Sequence, residues 1–280
     1  MTTVKSPLKW HGGKHHLAPK VVALIPPQTH YVEPYAGGLS VLFAKEPLTQ
    51  PEGVSEVVND LDRDLTHFWR VLQNGQRFAE FQRLVEATPF SEVEWDDALV
   101  DMNHSDPVER AAAFFLRCRQ SLAGRMKSFT GITKTRTRRG MNNEVSAWLS
   151  AVEGLPAVHA RLKRVLILNR TALDVIRSQD GPGTLFYLDP PYLAETRTAP
   201  NVYRHEMGGL RDHAELLVEL SKIEGKFLLS GYPHKLYRVA ERQYGWRRTD
   251  FDIANHAAVG QQKRRMTECV WMNFTPTGVS

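Results

Sequence analysis

The sequence predicts an α/β fold: an open sheet, interrupted once by a mainly helical insertion. Three observations predict it. Short apolar runs alternate with helical patterns over most of the 280 residues, as in strand–helix units. Between residues 75 and 164 that alternation gives way to a helical, strand-poor stretch. No repeat, low-complexity tract or long Gly/Ser linker divides the chain, so a second domain is inserted rather than strung on. The expected division is one domain from residues 1–74 and 165–280, with 75–164 inserted into it.

In chain order, the expected strands are Tyr31 to Glu33, Val54 to Val58, Val165 to Leu168, Thr184 to Leu188, Lys226 to Leu229, Trp246 to Phe251 and Cys269 to Phe274. Each is a short run rich in apolar, β-branched or aromatic residues. Helices are expected over Gly38 to Lys45, Leu61 to Gln73, Leu173 to Ser178 and Arg211 to Ile223. Inside the insertion, Asp106-Pro107-Val108-Glu109 is a helix start, with Asp at the cap, Pro in the first turn and Glu at the third position. The helix that follows, Val108 to about Gln120, carries Arg117 and Arg119 toward a basic loop.

Composition sets the outer limits. Hydrophobic residues at 42% and charged residues at 24% exclude disorder along most of the chain. Two cysteines, Cys118 and Cys269, build neither a disulfide framework nor a four-Cys zinc site, and they sit in apolar patterns as core thiols. Eleven histidines show no HExxH pattern, and no metal is expected. The N-terminus lacks an apolar signal region, and no apolar run approaches the ~18 residues of a membrane span. A cytoplasmic protein with no membrane association and no obligate protein partner is the expectation.

The net charge of +5 hides an uneven distribution. Nine basic residues lie between Arg110 and Asn143 with no Asp or Glu among them; eight are candidates for a nucleic-acid surface, namely Arg117, Arg119, Arg125, Lys127, Lys134, Arg136, Arg138 and Arg139. Such a patch repels itself unless an anion relieves it, and basic residues interleaved with Gly, Ser, Thr and aromatics suit a nucleic-acid backbone. A second basic surplus runs from Lys235 to Arg265.

Three motifs carry chemistry. In Thr184–Tyr192, an apolar strand ends on Asp189-Pro190-Pro191-Tyr192. Tandem prolines fix φ and donate no hydrogen bonds, so the turn is stiff and its carbonyls remain acceptors. Asp189 and the Pro190 carbonyl can accept both protons of an exocyclic amine while Tyr192 stacks on the ring that bears it. Next, Tyr31-Val32-Glu33-Pro34-Tyr35-Ala36-Gly37-Gly38 is a strand, a small-residue turn and a helix start, the arrangement that brings a nucleotide-like cofactor to a helix N-terminus. It lacks the third glycine of a dinucleotide fingerprint. Asn59-Asp60 closes a later apolar strand, and either caps a helix or sets an acid against ribose hydroxyls. The third motif, Lys9-Trp10-His11-Gly12-Gly13-Lys14, ends like a phosphate loop but has Leu8 and His15 where that loop needs Gly and Ser or Thr.

Taken together, in this order and split by an insertion, these motifs resemble the Dam-type DNA adenine-N6 methyltransferases. The resemblance spans nearly the whole chain. It implies a Rossmann-like S-adenosylmethionine domain with an inserted helical target-recognition domain, and double-stranded DNA as partner. It also implies that Trp10 and Lys14 hold the methionine end of the cofactor, that Glu33, Pro34, Ala36 and Gly37 line its pocket, that Asp60 binds the ribose and that Asn169 contacts the adenine. Asp189 would border both cofactor and target. Restriction–modification, phage-borne and regulatory roles all fit the resemblance. Relatives of the enteric enzyme carry an aromatic-Asn-Val-Pro element in the recognition loop. Here Ser128-Phe129-Thr130-Gly131 leads instead into a Thr/Arg-rich stretch, so the likeness carries the chemistry rather than a target site.

The expected reaction moves a methyl group from S-adenosylmethionine to adenine N6, catalysed by Asp189, Pro190, Pro191 and Tyr192 on a base flipped out of the duplex. Methylation of RNA adenine is the nearest alternative. Cytosine-N4 or glutamine-amide methylation, a nicotinamide dehydrogenase on the same frame and a non-catalytic DNA-binding module are the others.

Overall fold

The computed structural model describes residues 4–46, 53–130, 133–196, 207, 209–254 and 265–276. Its helices are α1 Ala18–Val22, α2 Ser40–Ala44, α3 Arg63–Gln73, α4 Gly75–Ala87, α5 Glu92–Asp101, α6 Pro107–Arg119, α7 Asn143–Glu153, α8 Leu155–Leu162, α9 Ala172–Gln179, α10 Leu210–Leu220 and α11 Lys235–Tyr244. The strands are β1 His30–Glu33, β2 Ser55–Asn59, β3 Thr137–Arg138, β4 Met141–Asn142, β5 Val165–Leu168, β6 Thr184–Leu188, β7 Lys226–Gly231, β8 Arg247–Ala254 and β9 Arg265–Met272. Seven of them form one sheet in the order β5-β2-β1-β6-β7-β9-β8, the mixed α/β architecture expected. None of the described helices is long and apolar enough to cross a membrane.

The chain divides into two compact units. The sheet unit, Ala23–Ala36, Leu48–Leu61 and Arg170–Ser280, is built on parallel pairing. Strand β1 pairs with β2 on one side (Val32↔Val57) and with β6 on the other (Val32↔Phe186). Strand β7 extends the parallel run beside β6, and β9 and β8 follow as an antiparallel pair. All five residues of β6 are buried, as an apolar run within a covered parallel sheet must be. Strand β9 starts at Arg265, ahead of the expected Cys269. Residues 265–268 add little apolar pattern to that run, but cross-strand pairing with β8 carries the ladder out to Ala254↔Arg265.

The helical unit comprises Met1–Val22, Gly37–Pro47 and Asp62–Asn169. It therefore takes in the N-terminus, the Gly37 turn and α3, all outside the stretch 75–164 that the sequence marks as inserted. Its centre is aromatic: Phe68 stacks on Phe115 (5.8 Å, 7°) and meets Phe81 and Phe114. Helix α6 starts where expected, since the Asp106 carboxylate accepts from the Val108 and Glu109 amides at 2.7 and 3.1 Å. These two bonds hold its pKa below the ordinary value. Helix α3 is capped by Asp62, which accepts from the Asp64 and Leu65 amides, so neither Asn59 nor Asp60 serves as that cap.

Both thiols are interior. Cys118 and Cys269 are fully buried, and burial pushes each up to about 12. At mildly alkaline pH both stay protonated and out of reach. Ellman's reagent should therefore leave both thiols of the folded chain unmodified and titrate both in denaturant; fast reaction before unfolding would contradict their placement in the core.

Candidate active site

The sheet unit brings together the ends of three parallel strands. Because β1 lies between β2 and β6, residues just past Glu33, Asn59 and Leu188 leave the same carboxyl edge. After β1 the chain passes to β2, and β6 later returns on the other side of β1. The gap between β1 and β6 is thus a switch point, where open α/β sheets bind ligands. Pro34 to Ala36, Asp60, and Asp189 to Tyr192 all emerge there. Asn59 ties this edge together: its side chain donates to the Pro34 and Arg170 carbonyls (both 3.0 Å) and accepts from the Arg170 amide at 2.8 Å. Its backbone carbonyl accepts from the Ala36 amide at 2.8 Å.

A line of buried tyrosines supports the edge from within. The Tyr31 hydroxyl donates to Glu33 Oε1 at 2.7 Å, Tyr187 shares a hydrogen bond of 3.2 Å with Ser230, and Tyr192 donates to Glu268 Oε1. Burial, followed by neighbouring carboxylates, raises all three phenols well above their ordinary range, so they remain donors. Tyr192 also meets Tyr232 edge to face (4.7 Å, 73°). Asp189 is half-buried, Pro190 is buried and Tyr192 is 6% exposed. Beyond the turn, Glu195 Oε1 lies 2.8 Å from His234 Nε2, and both border a cavity of about 490 Å³ with Tyr232, Met266 and Thr267. Sequence reasoning missed Tyr232, His234 and Glu268 because nothing in their local pattern shows what they meet across the sheet.

The remaining cofactor candidates fall in the helical unit. Gly37 has φ +48°, and a Cβ there would come within 3.0 Å of Trp10 Nε1. At Gly38 a Cβ would stand 2.9 Å from Trp10 Cβ. The Gly37 carbonyl accepts from Trp69 Nε1 at 3.3 Å, so the turn runs between two indoles and has room only for glycine. The next residue but one, Leu39, is buried at φ 55°, an uncommon conformation for a branched side chain. Lys14 Nζ donates to the Gly12 carbonyl at 2.9 Å, and Asn169, past β5, is exposed.

The basic segment is more ordered than a loop. Strands β3 and β4 form a hairpin (Arg138↔Met141) whose two-residue turn, Arg139-Gly140, has φ of 56° and 74°, as a type I′ turn requires. Arg125, Lys127, Lys134, Arg136, Arg138 and Arg139 are exposed, and Arg139 pairs with Glu153 at 2.8 Å. Arg117 corrects the expectation. Arg117 is 4% exposed, donates to the Trp95 and Met126 carbonyls (both 2.8 Å) and lies 3.3 Å over the Trp95 ring. Arg119 donates to the Ala147 carbonyl at 2.6 Å. A buried guanidinium needs such acceptors, and Arg117 belongs to the interior rather than to a DNA-facing surface, while Arg119 is half-buried. Of the second basic stretch, Lys263 and Arg264 lie outside the described residues, as does Gly131.

Residues 10–251 match the D12 class of N6 adenine-specific DNA methyltransferases. The chain belongs to that family. It is also similar to the Type II methyltransferase M1.LlaDCHI of Lactococcus lactis subsp. cremoris, at 22% identity over 95% of this chain and 94% of that one. As a D12-class methyltransferase it acts on DNA and methylates adenine at N6, which sets aside the RNA, cytosine, glutamine, dehydrogenase and non-catalytic alternatives. Methyltransferases of this family generally depend on S-adenosylmethionine.

The crowding around the D12-class glycine turn makes a test. Gly38→Ala should cost about 1–3 kcal/mol through overpacking against Trp10, read as a lower urea midpoint with altered tryptophan emission. An unchanged midpoint would mean that Trp10 yields freely.

Proposed function

We propose that this enzyme is a site-specific methyltransferase that uses S-adenosylmethionine to methylate N6 of an adenine flipped out of double-stranded DNA. The observation that carries it is Asp189-Pro190-Pro191-Tyr192 leaving β6 at the switch point beside β1. An adenosine-bearing cofactor suits that edge: Glu33 and Asp60 close adjacent strands, with Pro34 and Ala36 between them in sequence. We assign Glu33, Pro34, Ala36, Asp60 and Asp189 to it. Trp10, Lys14, Gly37 and Asn169 carry the same expectation on the helical unit and call for separate substitution and cofactor titration. Bound S-adenosylmethionine supplies an electrophilic methyl group.

The protein's own part is orientation and electrostatics. The amine lone pair of adenine is delocalised into the ring and is a poor nucleophile. Acceptance of its two protons by the Asp189 carboxylate and the Pro190 carbonyl draws the nitrogen toward a tetrahedral shape. Pro191 keeps the turn stiff. Flipping costs a few kcal/mol, and stacking on Tyr192 returns ~1–3 kcal/mol. Tyr192 is largely covered in the free chain, so side chains over it must turn away as the base enters. Phosphate contacts come from the exposed Arg125, Lys127, Lys134, Arg136, Arg138 and Arg139. With DNA as its substrate the protein is assigned to the cytoplasm, and the Type II relative supports a role in restriction–modification.

Asp189→Ala should abolish methyl transfer while leaving DNA binding measurable; full activity in that variant would remove Asp189 from its role. Replacing Arg136 and Arg138 by alanine should flatten the log–log salt dependence of DNA binding by about 0.9 per lost phosphate contact. Arg117→Ala should instead lower stability. A slope unchanged in the double variant would put the DNA elsewhere.

A further inference from the structure

We propose that Glu268 is a positioning residue for methyl transfer: through the Tyr192 hydroxyl it fixes the plane of the ring on which the target adenine stacks. The inference rests on reading Tyr192 as the stacking surface. Glu268 lies in β9, facing Phe251 of β8, and the next residue, Cys269, pairs with Gly231 at the end of β7. Tyr232 follows directly. The Tyr192 ring is therefore held from outside its own turn: its hydroxyl by Glu268 of β9 and its edge-to-face contact by Tyr232, just past β7. Two prolines stiffen the backbone that leads to Tyr192, yet leave its side-chain torsions to be set by those contacts.

The two contacts differ in what happens when a base arrives. A ring 6% exposed can be stacked upon only after a neighbour turns aside, and Tyr232 borders the open cavity beside the turn. When Tyr232 moves, the bond to Glu268 continues to orient the Tyr192 ring. Glu268 itself is 4% exposed. A buried carboxylate contributes little to stability compared with an apolar side chain of similar volume. Its bond to the Tyr192 hydroxyl gives it a role in orientation instead.

The test uses the full chain, S-adenosylmethionine and a duplex bearing a site identified by sequencing methylated bases for turnover, with a second duplex carrying 2-aminopurine in place of the target adenine for fluorescence only. Glu268→Ala should lower kcat on the order of 10- to 100-fold, the usual cost of misplacing a reacting group by about an ångström. Cofactor affinity should stay within about twofold, since only a step after binding is affected. The 2-aminopurine signal of the bound duplex should rise as stacking loosens. Glu268→Gln keeps an oxygen that accepts from the hydroxyl and should recover most of the rate. In a Tyr192→Phe background, Glu268→Ala should have no further effect on kcat, because the two groups act as one unit. If Glu268→Ala does not fold, Tyr192→Phe removes the same tether and should show the same fall in kcat; a wild-type rate there overturns the proposal. Tyr192→Ala separates the two ideas. Wild-type turnover in Tyr192→Ala would defeat the stacking reading, whereas a slow Tyr192→Ala beside a fully active Glu268→Ala would defeat only the role of Glu268.

Discussion

The parallel pairing of β1 with both β2 and β6 is the constraint on which the sheet unit depends. Parallel neighbours end on the same side, so one hydrogen-bonding pattern delivers three chain ends to one edge without any of them touching the others in sequence. Every residue of that unit proposed to touch cofactor or target base sits within four residues of one of those ends. The apolar residues of β1 and β6 secure the arrangement, since Tyr31, Val32, Leu185, Phe186 and Leu188 are all fully buried. Each apolar side chain withdrawn from water contributes about 1.5–3 kcal/mol before conformational entropy is counted. Slipping either strand by one residue would turn that set toward the opposite face.

Burying this edge brings polar groups inside with it, and they are paired. Tyr31 with Glu33, Tyr187 with Ser230 and Tyr192 with Glu268 form three hydrogen-bonded couples where unpaired hydroxyls would be costly. The helical unit solves a similar problem with charge. Arg117 and Arg119 are held by backbone carbonyls, while the cations of the β3–β4 hairpin remain outside. One basic segment thus serves two ends: its start knits the interior and its later part faces solvent.

What the sequence revealed follows from how locally each feature is encoded. The buried run of β6 and the tandem prolines that stop it are contiguous, and so are the Asp106 cap and the helix it starts; both were legible. The hairpin was not, because Arg139 occupies a left-handed position that ordinarily signals itself by Asn, Asp or Gly. Arg117 looked like its exposed neighbours, and only the fold puts Trp95 and Met126 around it. Strand β9 looked shorter than it is, since Arg265 to Glu268 gain their strand character from β8. The contacts of Glu268 and Tyr232 were invisible for the same reason: they are made with Tyr192, many residues away.

A last feature lies at Gly124, where a Cβ would overlap the Lys9 carbonyl at 1.6 Å. The same stretch of backbone is fastened by Cys118, which donates to that carbonyl at 3.1 Å, and by Lys9, whose ammonium reaches Glu144 at 2.9 Å. Position 124 is closed to every side chain, while Arg125, Lys127 and the hairpin beyond are open to solvent. Variation of this basic segment, by natural drift or in a designed library, can therefore draw on its outer residues but must keep one glycine. The N-terminal strand of chain that carries Trp10 serves as its backstop, so the two segments would have to be exchanged together if either were grafted into another enzyme.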